Sequence, residues 1–239
     1  MTAPAFTLAG IDGCKGGWIA VMSDDERKQI GVMKAATVAE ILATVPTLET
    51  AAVDIPIGLP TETCPVRQCD VEARRILGRA APRVFFAPQK FLLGARSHRE
   101  AVKRCNTKLG PGHALSIQAF GILPRIEEVD RLVRTNGQGV VKEVHPEIAF
   151  WEMAGEQVLP SKHSAEGITQ RRDLLGSEFG PTVVEECSKQ RHGTHAKVDD
   201  LYDALAALWS ARRISEGKGK RLPEHPEKDS EGLVMEINY

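Results

Sequence analysis

Two short apolar runs in this chain each end in a single carboxylate and then break. One is Ala9-Gly10-Ile11-Asp12-Gly13 and the other is Ala51-Ala52-Val53-Asp54-Ile55-Pro56-Ile57-Gly58. Each reads as a buried strand whose exposed end holds an acid on rigid backbone. The pattern around the first run predicts a strand from Phe6 to Asp12 and a glycine-rich turn at Gly13-Cys14-Lys15-Gly16-Gly17. A second strand from Trp18 to Met22, a polar hairpin loop and a third strand from Ile30 to Lys34 follow. Thr37 caps a helix whose Val38, Ile41, Leu42 and Val45 fall at helical spacing. The strand from Ala51 to Ile57 comes next, apolar on both faces until Asp54, as in a sheet covered on both sides.

Residues 61–138 read as mostly helical and charged, with an amphipathic helix over Leu115 to Val133 interrupted at Pro124. Val140 and Val141 open another strand that leads into Glu143-Val144-His145-Pro146-Glu147. A short helix over Ala165 to Leu175 and a last one from Asp199 to about Ile214 follow. The tail from Glu216 to Lys228 is rich in Gly, Pro and charge, with a final strand at Leu233 to Ile237. Three antiparallel strands, helix, strand, helical region, strand and helix is the order of the ribonuclease H-like fold. The expected architecture is therefore α/β: a single domain over 1–239 with a mixed five-stranded sheet flanked by helices and a helical insertion at about 61–138. In that fold the first and fourth strands are neighbours, which would set Asp12 and Asp54 side by side.

Composition adds bounds. At 239 residues the chain is long enough to bury a substantial core. No apolar run reaches the ~18 residues of a membrane span, and the start lacks the pattern of a signal peptide, so a cytoplasmic location is expected. The five cysteines are scattered, and Cys64 and Cys69 have no second pair to complete a zinc site. Net charge is −1, but between Val66 and Lys108 eleven Lys and Arg face three acids. A basic segment of this kind suits a polyanionic substrate, although most charge runs are solvated helix faces.

The last helix opens with Asp199-Asp200-Leu201-Tyr202-Asp203. Asp200 and Asp203, three apart, share a face, with Leu201, Leu205, Leu208 and Trp209 on the far side. Ala204, Ala207 and Ala211 are small enough to let this helix approach the sheet closely. Singly, Asp12 and Asp54 would read as turn starters and Asp199 as a cap. Together, Asp12, Asp54 and the Asp200/Asp203 pair form a carboxylate set suited to Mg²⁺ or Mn²⁺, hard cations that select oxygen. Two such ions would position a water and stabilise the leaving oxygen of a phosphodiester. Lys15 on the glycine-rich turn is a candidate phosphate contact. Glu143 and His145, where a strand gives way to a helix, are candidates for a catalytic or substrate role, and Pro146 sits well at a first helical position.

Ile11-Asp12-Gly13-Cys14-Lys15-Gly16-Gly17-Trp18, Asp54-Ile55-Pro56-Ile57-Gly58-Leu59-Pro60, Glu143-Val144-His145-Pro146-Glu147 and Asp199-Asp200-Leu201-Tyr202-Asp203-Ala204-Leu205-Ala206 closely resemble the domain-of-unknown-function 429 family. Arg67, Cys69, Asp70, Ala73, Arg74, Ser161, Lys162, Gly167, Arg171 and the tail from Asp229 to Ile237 extend the resemblance over nearly the whole chain. It implies a predicted nuclease of ribonuclease H-like fold. By analogy with RuvC-type Holliday-junction resolvases, Asp12, Asp54, Asp200 and Asp203 would be the metal-binding and catalytic acids. The fourth-strand acid is Asp here where resolvases carry Glu, which shortens its reach. Arg67, Arg74 and Lys162 are expected phosphate contacts, nucleic acid (DNA or RNA) the expected substrate, and a homodimer the expected assembly by the same analogy.

Two other classes compete. An actin-like phosphotransferase also starts on an Ile-Asp-Gly turn, but it needs a second glycine-rich Asp turn in a related second half, and no Asp-x-Gly-Gly follows Gly110. A non-catalytic interaction domain of the same fold would lose no activity when Asp54 is removed.

Overall fold

The computed structural model describes residues 6–24, 29–112 and 114–239. The hairpin loop expected after the second strand falls partly on 25–28, outside the described residues. In chain order the elements are β1 (Leu8–Cys14), β2 (Gly17–Ser23), β3 (Ile30–Ala35), α1 (Val38–Thr44), β4 (Thr50–Val53), α2 (Gln68–Leu77), α3 (His98–Leu109) and α4 (Ile117–Asn136). Then come β5 (Val141–Glu143), α5 (Pro146–Met153), α6 (Ala165–Phe179), α7 (Pro181–Arg191), α8 (Val198–Ser215), β6 (Arg221–Lys228) and β7 (Val234–Asn238).

The five-stranded mixed sheet has the order β3-β2-β1-β4-β5. β1, β2 and β3 are antiparallel, while β4 runs parallel to β1 and β5 parallel to β4. The expected five-residue turn after β1 is tighter than foreseen: Cys14 pairs with Gly17, leaving Lys15 and Gly16 at the tip. Gly16 takes φ +78°, where a side chain is strained. β4 stops at Val53 rather than Ile57, yet the Asp54 N–H still donates to Ile11 O at 3.0 Å.

The chain divides into two compact units. The first comprises residues up to Asp54, Gly139–Arg221 and Asn238–Tyr239, and carries the five-stranded sheet with α1 and α5 to α8. Its core lies between the sheet and α8, where Leu8, Ile19, Val21, Ala52 and Phe150 pack with Leu201, Leu205 and Leu208. α8 is buried from Leu201 to Arg212, so it has no polar outer face along that length. The far side of the sheet is covered in part by α1, whose Val38 and Ile41 are buried; the Thr37 hydroxyl caps that helix by accepting from the Glu40 N–H.

The second unit comprises Ile55–Gln138 and Leu222–Ile237. Its helical part matches the expected charged middle, and a small core joins Leu92, Ala101, Cys105, Ala119 and Leu123. α4 runs through Pro124 without the expected break. Pro124 is exposed, so the carbonyl one turn earlier can turn to water. The tail read as irregular holds β6, which pairs with β7 as a two-stranded ribbon. α7 was not foreseen either. Among the described residues no helix is long and apolar enough to cross a membrane.

Candidate functional site

Strand alternation decides which acids can meet. Gly10 and Asp12 share a face of β1. That face looks at α8: a Cβ on Gly10 would lie 2.0 Å from Leu208 N and 2.1 Å from Ala204 O. The absent side chain lets helix backbone touch strand backbone, and the first turns of α8 come down beside Asp12. Asp203, one residue before Ala204, is 4% exposed, and Asp12 is 8% exposed. Asp54 follows the strand paired with β1 and is partly accessible.

The three carboxylates share one electrostatic field. Asp12 is pushed well above the usual carboxylate range, by burial first and then by the charges of Asp203 and Asp54. Burial lifts Asp54 to about 7, against the pull of Lys162 and with the help of Glu147. Burial likewise lifts Asp203 to about 6, again opposed by Lys162. Lys162 Nζ donates to Asp203 Oδ2 at 2.6 Å. Burial works against its charge, but Asp203, with Asp12 and Asp54 beyond it, outweighs that and raises its pKa.

Lys162 is held by a loop that is itself pinned. A Cβ on Gly167 would lie 2.0 Å from Ser161 O, so the loop backbone rests on the first turn of α6. Arg171 is 1% exposed; it donates to Pro160 O and Gly167 O and pairs with Glu147 on α5. One buried guanidinium therefore ties the Lys162 loop to the helix that follows β5. Sequence reasoning gave neither Arg171 nor Glu147 this role. The signal was the Glu143-Val144-His145-Pro146-Glu147 motif, whose last residue was given no role of its own.

The other expected site residues fall elsewhere. Glu143 is paired with Val53, which is paired with Ile11, so all three side chains lie on the sheet face opposite Asp12. His145 caps α5, its Nδ1 accepting from the Glu147 N–H. Asp200 closes the start of α8, accepting from the Lys197 N–H at 2.8 Å, and its charge adds the smallest contribution to the rise at Asp12. Lys15 is exposed at the hairpin tip, and its carbonyl accepts from Lys34 Nζ.

In the second unit, Arg67 is 1% exposed, paired with Asp70 and donating to Ile57 O and Gly58 O. Arg74 donates to Ala81 O and Val84 O and lies over the Phe86 ring. Both hold loops together, which is what a buried or half-buried arginine with several donors does well. Of the remaining basic segment, Arg75, Arg79, Arg96, Arg99 and Lys103 are exposed.

Among the described residues no group of three or more His, Cys, Asp or Glu side chains is placed to hold a metal ion. The acids that come nearest to such a grouping are Asp12, Asp54 and Asp203. Their oxygens are hard donors, and their raised pKa values report burial first and neighbouring acids second, which Lys162 only partly offsets.

Fold and site together define an α/β protein with buried carboxylates from a central strand and a core helix, beside a third acid on the neighbouring strand's end. The chain belongs to the family described as protein of unknown function, DUF429, whose model matches residues 10–228. Compared with curated proteins and with solved structures, the chain matches none.

Proposed function

We propose that this chain is a ribonuclease H-like, Mg²⁺- or Mn²⁺-dependent phosphodiesterase that hydrolyses nucleic acid at Asp12, Asp54 and Asp203. The observation that carries the reading is the gathering of three acids from β1, the end of β4 and α8 in one electrostatic field, where burial lifts Asp54 to about 7 and Asp203 to about 6. The strand order β3-β2-β1-β4-β5, with three antiparallel strands followed by two parallel ones, supports the ribonuclease H-like assignment.

Asp12, Asp54 and Asp203 would hold the metal, which when bound supplies charge neutralisation at the phosphate and a more acidic water. Lys162 stands at the same acids as a built-in cation. When a phosphate enters, its Nζ can turn from Asp203 Oδ2 to a phosphate oxygen without leaving the site. Asp54, lifted to about 7 by burial without a metal, would give up its proton as a cation enters, because adjacent positive charge favours the carboxylate. Arg171 and Glu147 keep the Lys162 loop in position while this happens.

The test is hydrolysis of labelled DNA and RNA strands with Mg²⁺ or Mn²⁺ by the wild type, Asp12→Asn and Asp203→Asn. Cleavage that needs the metal and vanishes in both variants is the expected result. A wild type that cuts none of the strands, or an Asp12→Asn variant as active as the wild type, would refute the reading.

A further inference from the structure

A cavity of about 300 Å³ opens beside Asp203, walled by the Lys162 loop, α6 and the first turns of α8. Two kinds of surface meet in it. Lys162, paired with Asp203, and Lys197 bring two basic side chains to its wall, with Asp199 as a second acid. Ile168 and Val198 contribute aliphatic surface, and Tyr202 contributes a ring. Ile168 is 40% exposed and Val198 38% exposed, two large apolar side chains open to water in its wall. Inorganic phosphate has no use for that apolar surface, and an apolar molecule has no use for two lysines and two acids. A nucleotide uses both, with cations for its phosphate and flat apolar surface for its base.

Volume limits the ligand further. Ligand pockets span about 300–1,000 Å³, so this one, at about 300 Å³, matches a single nucleotide in size. We propose that the cavity receives the terminal nucleotide of a strand, so that the acids cut at a chain end and release mononucleotides. The inference rests on the phosphodiesterase reading for its cleavage step. In that step the oxygen of water bonds to phosphorus and the bridging P–O bond breaks. The water proton ends on the departing hydroxyl, giving a nucleoside monophosphate and a strand one residue shorter.

The test uses the full chain in two measurements. Calorimetric titration compares adenosine 5′-monophosphate with inorganic phosphate, for the wild type and for Val198→Trp, whose indole would fill the cavity. The nucleotide is expected to bind at least about tenfold tighter than phosphate, and the variant to lose about tenfold in nucleotide affinity. Ile168→Trp replaces Val198→Trp if the latter fails to fold. The second measurement incubates linear and closed circular single strands of one sequence with Mn²⁺. Linear strands are expected to fall to mononucleotides while circles stay intact.

Circles cut as fast as linear strands would overturn the end-cutting proposal and leave the phosphodiesterase reading standing. Nucleotide affinity equal to that of phosphate, or unchanged in the filled variant, would overturn the cavity assignment. Discriminating nucleotide binding with neither strand cut would sink the phosphodiesterase reading and end-cutting with it, while supporting the cavity as a mononucleotide site.

Discussion

Replacing Asp54 with Asn should stabilise the protein, and only where the carboxylate would be charged. Asp54 is lifted from 3.8 to about 7 in the folded state. A group with a raised folded pKa binds protons more tightly in the native chain than in the unfolded one. Stability therefore falls as pH rises from about 4 to about 7 and stays low above that. At about 1.4 kcal/mol per pKa unit, a three-unit rise is worth about 4 kcal/mol at most. Burial is the main cause of the rise, and a buried Asn still bears part of the polar cost, so the replacement should recover about half of that, about 2 kcal/mol. For a chain of this length that is about 4–8 °C in Tm.

All three tryptophans, Trp18, Trp151 and Trp209, lie in the unit that holds the acids. Intrinsic fluorescence melts therefore report that unit and not the other. The expected result is a higher Tm for Asp54→Asn at pH 8 and no difference at pH 4. Added Mg²⁺ should raise the wild-type Tm at pH 8 more than that of the variant. A variant that melts lower at pH 8, or one with the same shift at both pH values, would refute the reasoning about buried charge.

Lys162→Met should destabilise the protein by about 1–3 kcal/mol at pH 8, because it leaves the buried Asp203 charge without its partner; the loss should shrink below pH 6, where Asp203 is protonated, and urea unfolding at the two pH values measures it. Gly10→Ala should lower stability by about 1–3 kcal/mol or more, since its Cβ would strike Leu208 N, and circular-dichroism melts read the loss. Glu143→Gln should leave strand cleavage intact where Asp12→Asn abolishes it, because Glu143 looks out of the opposite sheet face; loss of cleavage in a folded Glu143→Gln would contradict that orientation.

Asp12 and Asp54 were legible in the sequence because each ends an apolar run, and period-2 alternation with strand order was enough to bring them together. The close approach of the last helix was legible too, from Ala204 and Ala207, although its partner Gly10 looked like an ordinary strand residue. Glu143 was not legible. β5 is three residues long, and one step of register decides its face; nothing in three residues fixes that step. Arg67 looked like a phosphate contact because charge runs hide their partners, yet Asp70, three residues on, is the acid it pairs with. Lys162 entered only through resemblance, since a turn lysine 41 residues from its carboxylate partner carries no local pattern. β6 lay in a stretch rich in Pro and charge, and such a strand gives no apolar alternation to read.

The contact at Gly10 has a consequence for how this site can change. Where Cβ atoms separate a helix from a sheet, swapping one side chain for a larger or smaller one slides the two apart or together, and everything mounted on them drifts. Here main chain rests on main chain, so the span between Asp12 and Asp203 is gauged by a dimension that no substitution elsewhere in the core rewrites. Variation among the surrounding leucines and alanines should therefore erode melting temperature well before it disturbs the acids. Position 10 itself offers no gradual route: any side chain there moves the whole α8 at once.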